Sequence, residues 1–155
     1  YAAWAMFAPF HYLTADLHKG ARCFVGLVNG EPAALVGLIH FMHPKAKNIH
    51  RITRLVIRPD FQGIGLGNRM AEIGASIAKA NGKRVSITTS HPALIASMAA
   101  SKSWDMTRKP AFASKFGVTG NKSLTASMAV TRRTASFEFV GPALQDAARA
   151  VTLWS

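Results

Sequence analysis

The chain is short of acid. Seven Asp and Glu stand against nineteen Lys and Arg in 155 residues, a formal charge of +12. A field of that sign repels cationic substrates and draws polyanions. Cysteine is almost absent. The single thiol, Cys23, excludes a disulfide framework, speaks against a cysteine-rich metal site, and reads as a small buried residue in a strand. No apolar run approaches the ~18–20 residues that a membrane span needs. The apolar N-terminus has no basic leader and carries Pro9 and His11, so it does not read as a signal peptide. Tyr1 stands first in place of Met, which leaves room for an upstream strand or helix. Repeats, linkers and low-complexity stretches are missing too. With 49% hydrophobic and 17% charged residues, the chain reads as one folded domain over 1–155.

What is present reads as mixed α/β. Trp4, Phe7, Phe10, His11, Tyr12 and Leu13 crowd the start, where Pro9 interrupts any helix and Thr14-Ala15-Asp16 can begin a short one. Ala21–Val28 and Pro32–Met42 are strands, joined by Asn29-Gly30, a strong hairpin signal. His43–His50 is a basic loop, its histidines and His40 read as surface residues or phosphate contacts, and Arg51–Arg58 is the next strand. A helix over 68–80 follows, with Leu66, Met70, Ile73 and Ile77 on one face, closed by Asn81-Gly82. Arg84–Thr89 is a strand. His91-Pro92 opens a helix to about Lys102 that sets Leu94, Ile95 and Met98 on one face. Trp104–Arg108 is a strand, 110–123 a loop, and strands near Leu124–Thr131 and Ala135–Val140 precede a terminal helix after Gly141-Pro142.

The informative stretch is Arg58-Pro59-Asp60-Phe61-Gln62-Gly63-Ile64-Gly65-Leu66-Gly67-Asn68, between the apolar strand Leu55-Val56-Ile57 and a helix. A glycine-rich turn at a helix start aims several N–H groups at one point, where the helix dipole adds to them, and so binds phosphate. The Walker pattern fails, because Asn68-Arg69 stands where Lys-Ser/Thr is required. The dinucleotide fingerprint fails on glycine spacing, and Lys83-Arg84 occupy the place of its ribose-binding acid. The pattern Q/R-x-x-G-x-G/A fits Gln62, Gly65 and Gly67 in register.

Leu55 to Gly67 resembles the acetyl-CoA loop of the GNAT acyltransferase superfamily, and the likeness extends over residues 21–108. It implies a mostly antiparallel central sheet with splayed parallel strands flanked by helices, here with shortened N-terminal elements. It implies acetyl-CoA or another acyl-CoA as cofactor. Leu55, Val56 and Ile57 and the stretch Ser86–Thr89 would border the acyl arm, and Gln62, Gly63, Ile64, Gly65, Leu66, Gly67 and Asn68 would hold the diphosphate. Two departures stand out. Ile52–Ile57 carries none of the carboxylate that many members use as base, and Met98 stands where many carry an acidic Tyr. A cationic amine must lose a proton before it attacks, whereas a nucleobase amine is already neutral.

A narrower set, Phe10-His11-Tyr12-Leu13, Arg51-Ile52-Thr53-Arg54-Leu55-Val56, Thr88-Thr89-Ser90-His91-Pro92-Ala93-Leu94 and Trp104-Asp105, looks like the Mom family of phage DNA-modification proteins. That resemblance implies modification of adenine N6 in DNA, in the cytoplasm of a phage-infected or bacterial cell. It makes His11, Tyr12 and Asp105 the candidates for proton transfer or positioning. The bland readings are a packed histidine, a core tyrosine, and an aspartate that neutralises Arg108. His11 and Asp105 could instead share a metal, but the pair lacks a third candidate ligand. The nucleic-acid candidates are Lys45, Lys47, Arg51, Arg54, Arg108, Lys109, Lys115, Lys122, Arg132 and Arg133, with Phe112 and Phe116 interleaved. An oligomer is compatible with the sequence. Two alternatives stay open: an N-acetyltransferase for a protein or small-molecule amine, and a non-catalytic module that holds nucleic acid.

Overall fold

The computed structural model describes residues 2–11, 17–42, 47–112 and 132–155. The expectations for Tyr12, the helix start at 14–16, His43, Lys45, Lys115, Phe116, Lys122 and the strand at 124–131 lie outside the described residues. Helix α1 (Ala2–Phe7) stops short of Pro9 and tightens into a 3-10 turn, Ala8–Phe10. Strands β1 (Arg22–Val28) and β2 (Glu31–His40) form the expected hairpin. Asn29 and Gly30 both take positive φ, 51° and 82°, as a tight hairpin turn of matching twist requires.

The described strands form one sheet in the order β1-β2-β3-β4-β6-β5, with β3 (Ile49–Ile57), β4 (Arg84–Thr89), β5 (Trp104–Phe112) and β6 (Arg133–Phe139). The β3–β4 pair is parallel and the other pairs are antiparallel. Leu35 and Val36 are adjacent in β2 yet belong to different apolar clusters, so the clusters lie on opposite faces of the sheet. On one face, Trp4 and Phe7 of α1 cover Leu35 and Val56. The other face carries the larger core, with α2 (Leu66–Ala80), α3 (Pro92–Ala100) and α4 (Ala147–Trp154).

Several expectations need correction. Ile73 is 40% exposed, because α2 lies on the sheet through Met70, Ala71, Gly74, Ala75, Ile77 and Ala78. Small residues let this helix approach closely and leave Ile73 at the rim. At its end only Gly82 is left-handed (φ 69°). Asn81 instead donates its amide to the carbonyls of Ile77 (2.9 Å) and Ala150 (3.1 Å), tying α2 to α4. β3 begins at Ile49, which puts His50 inside a strand with 8% exposure and not on a surface loop. β5 runs on through Pro110 to Phe112; register irregularities between Met106 and Ala111 let a residue without an N–H sit in the ladder. The terminal helix waits until Ala147, where the Asp146 carboxylate accepts the Arg149 N–H at 2.9 Å and caps it. Cys23 is half-buried in β1, and burial pushes its thiol above the usual value. Among the described residues no helix is long and apolar enough to cross a membrane.

Candidate active site

Thr53 opens the site. Gly37 of β2 faces Arg54, while the next residue, Leu38, faces Ile52, so Thr53 is the extra residue of a bulge. Pairing with β4 ends at the same point: Ile52 opposite Ile87 is its last step. Beyond it the strands part. A cleft of about 510 Å³ lies between Thr53, Leu55, Val56 and Ile57 on one side and Thr88 and Thr89 on the other. Leu66 and Leu94, packed on the α2 side of the sheet, line it, and so do Phe10 and His11 of the N-terminal segment. The cleft therefore passes through the sheet, with a helix-side mouth and a mouth beneath Phe10 and His11.

The glycine loop borders the helix-side mouth. Gly63 and Gly65 take φ of 83° and 79°, left-handed values that other residues rarely adopt. Gly65 is the cap residue of α2 and supplies no side-chain bond to its first turn. The amides of that turn are thus available to an anion, with the helix dipole behind them. Gln62 does not reach for the anion; its amide donates to Ile57 O at 2.9 Å and pins the loop to the strand end. Glu72 braces the first turn, accepting from Asn68 (3.3 Å) and from Ser101 (2.9 Å) and pairing with Arg69 at 3.7 Å. Of the loop residues expected at the cofactor, Gln62, Gly63, Gly65, Leu66, Gly67 and Asn68 line the cleft, whereas Ile64 is 71% exposed and does not.

The residues expected to move protons are not all together. His11 lines the cleft, its ring edge-on to Trp4 at 5.9 Å and its N–H donating to Ala8 O at 3.2 Å. Asp105 is exposed on β5 opposite Glu138 and outside the cleft, because β6 is inserted between β4 and β5. Nor does Asp105 hold Arg108, whose guanidinium donates to Thr134 Oγ1. Met98 is fully buried in the core, while its neighbour Ser97 lines the cleft. Sequence reasoning did not single out Phe10, Thr53, His91 or Ser97 as site residues. His91 caps α3, its Nδ1 accepting the Leu94 N–H at 3.3 Å while its own N–H donates to Thr89 Oγ1 at 3.1 Å. A ring so held carries its neutral-state proton on Nε2. The His-Pro pair ahead of a helix was the available signal. Among the described residues that line the cleft there is no Asp or Glu, and among all the described residues no three of His, Cys, Asp and Glu converge as for a metal.

The basic residues divide. Arg51 lies over the Phe41 ring at 3.7 Å. Arg54 lies over Trp4 at 5.9 Å and donates to Thr53 O at 2.9 Å. These two serve packing. Lys47, Arg108, Lys109 and Arg133 are exposed, Arg132 is half-buried, and Phe112 is 60% exposed at the end of β5 opposite Arg133.

A model of the acetyltransferase (GNAT) family matches residues 2–100. Among curated proteins nothing matches. The fold is similar to that of an IAA acetyltransferase from Bacillus cereus (TM-score 0.55, 14% identity, 78% of each chain covered). It is also similar to the ribosomal-protein-S18-alanine N-acetyltransferase of Escherichia coli (TM-score 0.52, 15% identity, 84% of this chain and 76% of that one). A GNAT family acetyltransferase from Elizabethkingia anophelis with acetyl-CoA bound matches at a TM-score of 0.52 and 14% identity, over 78% of this chain and 76% of that one.

Proposed function

The chain belongs to the acetyltransferase (GNAT) family, and from that premise we propose that it moves an acyl group from CoA to the exocyclic amine of a nucleic-acid base, with adenine N6 in DNA as acceptor. The residues present fit a CoA thioester: uncapped amides at the start of α2 suit the diphosphate, and the gap beyond Thr53 suits the extended arm. A bound thioester would supply an activated acyl carbon, with CoA leaving as the thiolate and the proton given up by the amine returning it to the thiol. The main chain of β3 beyond Thr53, released from β4, offers polar groups to a developing oxyanion. The chain's own contribution is otherwise placement.

The lack of a carboxylate among the described residues that line the cleft carries the choice of acceptor. An alkylammonium, with a pKa near ~10.4, is drawn by an acid and needs a base before attack. A nucleobase amine needs neither and gives up its proton only as the N–C bond forms. His11 at the lower mouth is the residue proposed to take that proton, with Tyr12 beside it in sequence. The net charge of +12 favours a polyanion, and Lys47, Arg108, Lys109, Arg132 and Arg133, with Phe112, form its proposed contacts. Lys45, Lys115 and Lys122 extend the set in sequence. The short motifs that resemble those of the Mom family are consistent with this reading.

Incubation with acetyl-CoA and DNA, digestion to nucleosides and mass spectrometry should reveal an acylated deoxyadenosine. Unmodified DNA, together with thiol release on a peptide N-terminus or polyamine, would overturn the proposal. It would favour the second reading, an N-acetyltransferase for a protein amine, which draws on the likeness to the S18-alanine enzyme.

A further inference from the structure

We propose that Phe10 is the surface on which the acceptor stacks, so that the site selects flat, uncharged aromatic amines; this deepens the reading above and rests on it. Among its described residues the N-terminal segment carries three large aromatic rings before His11. Phe7 is 0% exposed and Trp4 7%, and these two fill the cluster over Leu35 and Val56. Phe10 takes no part in that cluster. It is 44% exposed and lines the cleft beside His11. An apolar ring left at the mouth of a cleft, while its neighbours satisfy the core, offers its face to whatever enters.

The ring is held on a stiff base. Pro9 fixes the 3-10 turn beneath it, and the His11 N–H closes that turn on Ala8 O at 3.2 Å. The base is linked to the bulge that opens the cleft. His11 meets Trp4 edge-on, Arg54 lies over Trp4, and Arg54 donates to Thr53 O at 2.9 Å. The stacking surface and the end of the acyl arm thus belong to one packed unit. Among the described residues that line the cleft there is no carboxylate to pair with an alkylammonium, whereas a flat neutral amine needs only a face on which to stack.

The test uses Phe10→Ala, Phe10→Leu and Phe10→Trp. Steady-state kinetics are run on an adenine oligodeoxynucleotide, on aniline as a neutral arylamine, and on spermidine; CoA affinity is read by calorimetry. Phe10→Ala and Phe10→Leu should raise the KM for the aromatic acceptors roughly ten-fold or more, and Phe10→Trp should restore it. CoA affinity should change less than about two-fold in all three variants, because the diphosphate is expected at the glycine loop by the other mouth of the cleft. Phe10→Leu behaving like the wild type would overturn the proposal, since an apolar wall would then suffice. So would an unchanged KM in Phe10→Ala. If the wild type acylates the arylamine but no nucleobase, and the Phe10 dependence persists, stacking stands and the nucleic-acid reading falls. A wild type that accepts only spermidine overturns both.

Discussion

The imidazole of His50 meets the indole of Trp154 edge-on, with ring centroids 5.2 Å apart. This contact joins β3 to the last helical residue of the fold. His40 lies on another side of His50 at 5.5 Å, and the Arg22 guanidinium covers the indole at 4.9 Å while donating to Trp154 O. Burial first, and then His40, Lys83 and Arg22, pull the His50 pKa below its ordinary value.

That depression makes stability depend on pH. Below the ordinary histidine value of ~6.5 the unfolded chain binds a proton that the folded chain refuses, so acid favours unfolding. Stability should be full above that value and fall as pH drops toward the lower folded value. Melts followed by tryptophan fluorescence between about pH 5 and pH 8 should show it. His50→Phe keeps the apolar contact and should flatten this part of the profile. A slope unchanged in His50→Phe would place the titrating group elsewhere.

Gly74 gives a prediction that runs against helix propensity. In a helix interior Gly→Ala ordinarily gains ~1 kcal/mol. Here a Cβ on Gly74 would stand 2.9 Å from Val36 Cγ1, and Val36 is fully buried in the middle of the sheet. The clash has to be relieved by moving α2 off β2, at ~1–3 kcal/mol. Gly74→Ala should therefore lose roughly 1 kcal/mol net and melt a few degrees lower. A melting point equal to or above wild type would show that α2 shifts freely on the sheet.

What the sequence made legible was local, and what it hid was not. Gln62, Gly65 and Gly67 announce their loop because spacing alone dictates the backbone there, and Asn29-Gly30 announces its turn for the same reason. The bulge at Thr53 has no residue-type signature; it exists because β2 and β3 lose register by one residue. Asp105 looked catalytic beside Trp104, but β6 returns from far along the chain to separate β5 from the cleft. His50 looked like a surface histidine until α4 brought Trp154 against it. Each miss is a long-range contact that no window of neighbouring residues contains.

The loop glycines should separate conformation from space. Gly65 has φ 79° and an added Cβ would meet nothing within 4 Å, so substitution there strains only the backbone. Gly65→Ala should cost ~1–2 kcal/mol. Gly65→Glu should also set a carboxylate where the diphosphate is expected, and lower CoA affinity by more than about ten-fold. At Gly67 an added Cβ would meet Ile57 Cγ1 at 3.8 Å, an ordinary contact. Gly67→Ala should melt no lower than wild type. Calorimetry with CoA and parallel melts decide; undiminished affinity in Gly65→Glu would move the anion site away from the start of α2.

Arg54 distinguishes a charge that binds from a charge that builds. As a phosphate contact, its loss would reduce the salt dependence of DNA binding by about one unit of log–log slope. Its geometry argues for the other role. The guanidinium lies over Trp4, and Nη1 donates to the carbonyl of Thr53, the residue at which β3 leaves β4. Lysine keeps the charge but has no planar fork to stack and donate at once. Arg54→Lys should therefore lower kcat at least several-fold and leave the salt slope within error. The double variant Arg108→Ala, Lys109→Ala, at two exposed residues of β5, should do the reverse: a slope smaller by roughly one to two units and kcat at saturating DNA nearly kept. If Arg54→Lys keeps kcat while Arg54→Ala cuts the salt slope, the guanidinium faces phosphate in the working complex, and the bulge stands without it.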